Sequence, residues 1–147
     1  MEVIIGKSSD LIEKAHAIRY QVFTVEQNIP NDLDFDGLDG IATHVLVVEN
    51  NQSIATARLN INSDGYSVMA RVAVIEEYRG YGVASIVVKA LIEYAQKQGV
   101  QLIEIHAHTY LRSFYERFGF VYIQEVEVVG EHQLIEMHYP VADITNL

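Results

Sequence analysis

The chain of 147 residues contains no cysteine. That absence removes disulfides, thiolate zinc sites and a cysteine nucleophile, and with the last any covalent acyl-cysteine intermediate. Only Pro30 and Pro140 interrupt it, with no repeat, low-complexity tract or long linker between them. At about 150 residues per domain, one domain over 1–147 is expected. Basic residues are scarce, ten Lys and Arg against twenty Asp and Glu, for a formal charge of −10. Nonspecific nucleic-acid binders and proteins that dock on anionic membranes need a basic surface, so neither partner is expected. Long apolar runs are missing too: nothing approaches the roughly 18 residues of a membrane span. The opening MEVIIGKSSD has no basic n-region and only Val3–Ile5 as an apolar run, unlike a signal peptide. A cytoplasmic location is expected. What is present is an ordinary globular composition, half apolar and one fifth charged, with material for a core.

The patterning predicts α/β (α+β) architecture: a mixed, mostly antiparallel sheet of about seven strands with helices on both faces. Glu2–Ile5 reads as a short strand. Asp10 with Glu13 three places on resembles a capping box, and Leu11, Ala15, Ile18 and Val22 recur at helical spacing to about Val25. Asn28–Gly40 reads as a loop holding one short helical turn. Thr43–Glu49, Ser53–Ile61 and Tyr66–Ile75, joined by short polar turns, form a meander, with Tyr66, Val68, Ala70, Val72 and Val74 on one face. Val83, Ile86, Val87, Ala90, Leu91, Tyr94 and Ala95 form one helical stripe that Gly99 ends. Val100–Ala107 is apolar enough to predict a strand buried on both faces. Leu111, Phe114, Tyr115 and Phe118 mark a second short helix, and Phe120–Val129 and His132–Tyr139 a final hairpin.

The segment Val72-Ala73-Val74-Ile75-Glu76-Glu77-Tyr78-Arg79-Gly80-Tyr81-Gly82-Val83-Ala84-Ser85 joins a strand to a long helix through closely spaced glycines. The first amides of a helix lack internal partners and carry about half a positive charge. Gly80 and Gly82 let a phosphate approach them, and Arg79 adds a fixed charge; a tight turn is the other use of such glycines. Gly80-x-Gly82-x-x-Ser85 nearly matches a dinucleotide fingerprint, with Glu104 placed 24 residues after Gly80. Ser85 departs from that pattern, the preceding strand closes a meander, and the chain leaves no room for a second half. The triphosphate loop G-x-x-x-x-G-K-[ST] is absent.

Arg79-Gly80-Tyr81-Gly82-Val83-Ala84 resembles the pyrophosphate loop [QR]-x-x-G-x-[GA] of the GNAT superfamily of N-acetyltransferases, with Arg79, Gly82 and Ala84 at its motif positions. Phe114-Tyr115-Glu116-Arg117-Phe118-Gly119-Phe120 resembles the F-Y-x-x-x-G-F helix end of the same family, and the element order matches over nearly the whole chain. Arg19-x-x-Val22-Phe23-x-x-Glu26-Gln27, Phe35-Asp36-Gly37-Leu38-Asp39 and His44 are similar to its ElaA-like subgroup, although Asn31-Asp32-Leu33 breaks the acidic run expected there.

The resemblance implies acetyl-CoA as co-substrate and direct transfer to an amine of a small molecule or peptide in a ternary complex. Val72, Ala73 and Val74 would pair with the pantetheine arm where the sheet splays, the amide near Val74 would polarise the thioester carbonyl, and Arg79–Ser85 would take the pyrophosphate. Tyr115 stands where the family has its thiolate-protonating tyrosine; on spacing alone it is equally a core aromatic. The strand before the loop has no carboxylate, so Glu26, with His106 and His108, is a candidate base. An alkyl amine is neutral in only about 1 of 2,500 molecules at pH 7, so a route for its proton matters. His108 stands where the family often has an Asn touching the cofactor arm, and Arg112 is a candidate phosphate contact. His106 and His108 share a strand face, but with no thiolate and no carboxylate at ligand spacing no metal site is expected. The acidic run Asp32, Asp34, Asp36 and Asp39 is a candidate attractor for a cationic amine. Phe120–Tyr139 offers strands for a homodimer, which the family often forms. A non-catalytic acetyl-CoA sensor or interaction module is the alternative reading.

Overall fold

The computed structural model describes residues 1–141, so the last six residues of the expected domain lie outside it. The elements are β1 (Glu2–Gly6), α1 (Ser9–Arg19), α2 (Asn31–Asp34), β2 (Thr43–Glu49), β3 (Gln52–Ile61), β4 (Tyr66–Val74), α3 (Val83–Lys97), β5 (Leu102–His108), α4 (Arg112–Glu116), β6 (Val121–Val129) and β7 (His132–Pro140). They form one seven-stranded sheet in the order β1-β2-β3-β4-β5-β7-β6. Only β4 and β5 run parallel; every other neighbouring pair is antiparallel. Ile54–Asn60 of β3 is buried without alternation, so both faces are covered, and both α1 and α3 pack on that strand. Among the described residues no helix is long and apolar enough to cross a membrane.

Several details depart from the patterning. The cap of α1 is Ser8, whose hydroxyl accepts from the Leu11 amide at 3.2 Å, rather than the box at Asp10. Leu11, Ala15, Ile18 and Val22 are buried as predicted, but beyond Arg19 the helix widens into a π-helical stretch, Tyr20–Glu26. The buried stripe of α3 is Val83, Val87, Val88, Leu91, Ile92 and Ala95, rotated from the predicted one because Ile86, Ala90 and Tyr94 lie at its margin. On β5 only Ile103, Ile105 and Ala107 are buried; Glu104, His106 and His108 face outward, so the strand is covered on one face and not on two.

Strand β4 carries the distortion that creates the site. Thr56 pairs with Ala73 but Arg58 pairs with Ala70, so Arg71 and Val72 share the place opposite Ala57. The extra residue is a β-bulge, and Arg71 takes a left-handed backbone at φ 60°. Pairing with β5 covers only Tyr66–Met69 against Leu102–Ile105. Beyond it β4 and β5 diverge, and residues 70–74 keep β3 as their one ladder partner. The single face predicted from Tyr66, Val68, Ala70, Val72 and Val74 does not survive the bulge: Ala70 and Ala73, opposite Arg58 and Thr56, share one face, and Val74, opposite Ala55, lies on the other with Met69. All five predicted residues are half-buried, while Ser67, Met69 and Ala73 are buried.

Candidate active site

A cavity of about 660 Å³ opens where β4 and β5 part. Val68–Val72 and Ile105–His108 form its two strand walls, and Tyr115 reaches it from α4. Ile29, Leu33 and Leu38 close it from the segment between α1 and β2. The splay expected at Val72 and Val74 is therefore present, with the outer edge of β4 free of strand partners.

Beyond β4, a 3-10 turn at Glu76–Tyr78 delivers the chain to the glycine loop. Gly80 and Gly82 both have positive φ, 85° and 79°, and a Cβ built at either meets nothing within 4 Å. Glycine serves the backbone here, and the space beside the loop is open. Gly82 caps α3 without any side-chain bond, and the first recorded helical bond is Ile86 N–H to the Gly82 carbonyl at 3.2 Å. The amides of Val83, Ala84 and Ser85 precede it and have no intrahelical acceptor. Tyr81 is 74% exposed at the loop tip. Arg79 and Glu26, expected in separate roles, are brought together: the Arg79 guanidinium lies 2.6 Å from Glu26 Oε2 while its Nε donates to the Val74 carbonyl at 3.0 Å. Glu26 Oε1 is buried and has no hydrogen-bond donor among the described residues.

Tyr115 is 3% exposed and packs edge-on against Phe114 and Phe120, at 5.0 and 5.5 Å between ring centroids. Burial, with the Tyr110 phenol nearby, pushes its hydroxyl well above the usual tyrosine range. It is thus a core aromatic that also lines the cavity, with its hydroxyl held in the protonated form. His108 also lines the cavity, its ring 4.8 Å from His132 and 5.3 Å from Tyr110. Burial and His132 lower its pKa, which favours the neutral imidazole. Arg112 does not line the cavity; it sits 4.2 Å over the Tyr122 ring and donates to Glu116 at 3.3 Å.

Two charged groupings escaped the sequence reading. Arg19, only 1% exposed, donates through Nε to both Asp34 carboxylate oxygens and through Nη1 to Asp39 at 2.8 Å. Arg58 binds Asp39 at 2.8 Å and also Asp36, and Arg71 at the bulge reaches Asp34 at 2.9 Å. Three of the four acidic residues expected to attract a cation are thus already neutralised by guanidiniums. Burial opposes the ionised Asp39, but bonds from Arg19, Arg58 and His16 outweigh it and hold its carboxyl far below the usual range. The partners come from α1, β3 and β4, so sequence spacing does not reveal which acid meets which arginine.

The second grouping surrounds His106. The expectation that no carboxylate stands at ligand spacing fails: Glu104 is two residues away on the same strand, and strand pairing adds Glu127 and Glu136. His106 Nε2 is 3.0 Å from Glu104 and Nδ1 is 2.9 Å from Glu127 of β6, while Glu136 of β7 stands directly opposite. Burial works against protonation of His106, but the bond to Glu127 and the charges of Glu127, Glu104 and Glu136 prevail and raise its pKa.

The sheet thus splays at a bulge, and the freed strand leads through an open glycine loop into a helix. The acetyltransferase (GNAT) family matches residues 12–120, and the chain belongs to it. Its relatives include the ElaA protein of Escherichia coli (strain K12), 34% identical over 113 residues, 74% of each chain. The crystal structure of Escherichia coli ElaA superposes with a TM-score of 0.84 at 28% identity, covering 94% of this chain and 98% of that one. The uncharacterized N-acetyltransferase YjcF of Bacillus subtilis (strain 168) is 29% identical over 127 residues, 86% of this chain and 90% of its own. An acyl-CoA N-acyltransferase from Pseudomonas aeruginosa shares the fold, with a TM-score of 0.85 at 23% identity over 95% of this chain and 99% of that one. The ElaA-like character read from the first third is thereby shown, and acyl transfer is the activity of the family.

Proposed function

We propose that the protein moves the acetyl group of acetyl-CoA directly to a primary amine of a small molecule or peptide, within a ternary complex. The observation that supports this most is the free edge of β4 beyond Met69, running without interruption into the open glycine loop. An extended pantetheine chain fits beside Val72, Ala73 and Val74 as an added strand. The diphosphate then meets the amides of Gly80–Ser85 at the head of α3, where the helix dipole favours it. The thioester supplies an activated acetyl carbon; the amine nitrogen bonds to that carbon as the carbon–sulfur bond breaks.

The chain's own residues handle the protons. Tyr115, held in its protonated form, donates a hydrogen bond to the departing sulfur. Because its hydroxyl is a far weaker acid than a thiol, stabilisation of the thiolate is its main contribution. Glu26 takes the acceptor's proton once phosphate draws Arg79 away from it, leaving a carboxylate with one oxygen already unbonded. His108, kept neutral, contacts the pantetheine arm, and Arg112 reaches a cofactor phosphate only by leaving Tyr122. In this reading the protein works in the cytoplasm, and two copies pair through β6, the outermost strand, which exposes Val121, Ile123 and Val128.

A second reading, a non-catalytic acetyl-CoA sensor or interaction module, draws on the Arg79–Glu26 pair, which occupies both the phosphate contact and the base. Thermal shift followed by thiol release separates the two. At 100-fold excess over Kd, acetyl-CoA should add about 2.7 kcal/mol, and a panel of amines should release free CoA. A shift without thiol release supports the module; no shift with acetyl-CoA refutes both.

A further inference from the structure

The face of β5 that no long helix covers carries a second constellation. Ladder pairing sets His106 opposite Glu136 and Glu104 opposite His138. Residues directly opposite on antiparallel strands share a face, as do residues two apart on one strand, so the four form a two-by-two block of alternating imidazole and carboxylate. Donor atoms of three of them gather, and His138 joins through its two carboxylate neighbours. His106 Nε2 is 3.0 Å from Glu104 Oε2, and His138 Nε2 is 2.6 Å from Glu136 Oε2 and 3.6 Å from Glu104 Oε1. One ligand atom each from Glu104, His106 and Glu136 lie within 4.8 Å of one another.

Two further observations concern the charge balance of this block, which no arginine or lysine serves among the described residues. Among the described residues, Glu104, Glu127 and Glu136 form ion pairs only with histidines, whereas Asp34, Asp36 and Asp39 have three arginines. A neutral imidazole also owns a single proton. When the Nδ1 proton of His106 is given to Glu127, Nε2 turns a lone pair on the Glu104 carboxylate, and two acceptors face each other at 3.0 Å. A second proton on His106 removes that conflict, and so does a metal cation held between the two atoms.

We infer that Glu104, His106, Glu136 and His138 form a binding site for a divalent transition-metal ion of the zinc type. Glu127 is the outer carboxylate that orients the His106 ring. Two nitrogens and two oxygens suit tetrahedral Zn²⁺ or Co²⁺, whereas Mg²⁺ and Ca²⁺ take oxygen donors. Ligands at about 2.0–2.2 Å in a tetrahedron stand roughly 3.3–3.6 Å apart, so shifts of about 1 Å bring Glu104, His106 and Glu136 into place, with His138 entering beside Glu136 and Glu104. His106 and Glu127 also line the cavity between β4 and β5. A doubly charged ion there repels an ammonium acceptor and makes Zn²⁺ an inhibitor competitive with the amine. That last effect rests on the proposed transfer reaction; the binding site does not.

The test is calorimetry of the chelator-stripped full chain with ZnCl₂, MgCl₂ as control, and the visible absorption of the Co²⁺ form as a ligand-field readout. One saturable Zn²⁺ site per chain is expected, with the intense bands of four-coordinate Co²⁺ and no heat from Mg²⁺. The His106→Gln/His138→Gln double variant, shown folded by its thermal transition, should lose the site, and Glu127→Gln should weaken it about 10–100-fold. No saturable Zn²⁺ heat, or binding undiminished in the double variant, overturns the site. Thiol release by the metal-free protein is a separate readout, so failure of the transferase reading leaves this test intact.

Discussion

Replacing Arg19 by Met tests whether the buried arginine–aspartate network holds the wall of the cleft. Arg19 donates two bonds to the Asp34 carboxylate at 3.1 and 3.0 Å, one to Asp39 at 2.8 Å and one to the Asp34 carbonyl at 3.0 Å. Methionine fills much of the same volume but leaves both carboxylates short of a donor in a buried setting. Breaking a buried pair from one side removes about 3–5 kcal/mol. Arg71 still reaches Asp34, and Arg58 and His16 still reach Asp39, which places the expected loss near the lower end, about 3 kcal/mol. For a domain of this size that is a fall in Tm of about 6–12 °C. Arg19→Lys keeps the charge and loses the fork, so it should fall between the two. Differential scanning calorimetry at pH 7 measures all three. A Met variant within about 2 °C of the parent would show that Arg71 and Arg58 suffice and that Arg19 adds nothing to the wall.

Other expectations bear on the same elements. Burial opposes ionisation of Asp36 and Asp39, but their arginine bonds dominate and lower both pKa values; such groups stabilise above the unfolded carboxylate pKa and lose that effect as pH falls through the folded one. Thermal melts should therefore fall steeply below about pH 4, whereas between pH 7 and 5 the raised pKa of His106 and the lowered one of His108 act in opposite directions; melts unchanged down to pH 3 would refute the role of the aspartates. Tyr115→Phe should lower kcat by about 10²–10⁴-fold with little change in acetyl-CoA affinity; an unchanged kcat under rate-limiting chemistry would remove Tyr115 from the reaction. Gly82→Ala places a Cβ at φ 79° in open space, so only backbone strain of about 1–2 kcal/mol opposes it. It should melt about 2–8 °C lower and bind acetyl-CoA more weakly by calorimetry, while unaltered affinity would separate the loop from the phosphate.

How far the sequence could be read follows from the range of each interaction. The stripe Leu11, Ala15, Ile18 and Val22 and strand Thr43–Glu49 are written in local periodicity, and the structure repeats them. The glycine loop was legible because positive φ restricts residue choice at single positions, here Gly80 and Gly82. The bulge at Arg71 was not legible, since φ 60° at an arginine has no compositional mark and accompanies a register shift against Thr56 and Arg58 of another strand. Partners that meet through tertiary structure stayed equally hidden. Glu26 and Arg79 are 53 positions apart, and the donors about His106 and the acids about Arg19 come from several elements. The sequence does contain a weak signal for the last group: an arginine inside the helix stripe, Arg19 beside Ile18, where burial demands a counter-charge. Applied to Arg58 in the continuously buried run of β3, the same reasoning requires a second acid, and Asp36 and Asp39 meet it. The acidic loop is therefore acidic because two arginines must be buried beneath it, and its charge is spent on the fold before any acceptor arrives.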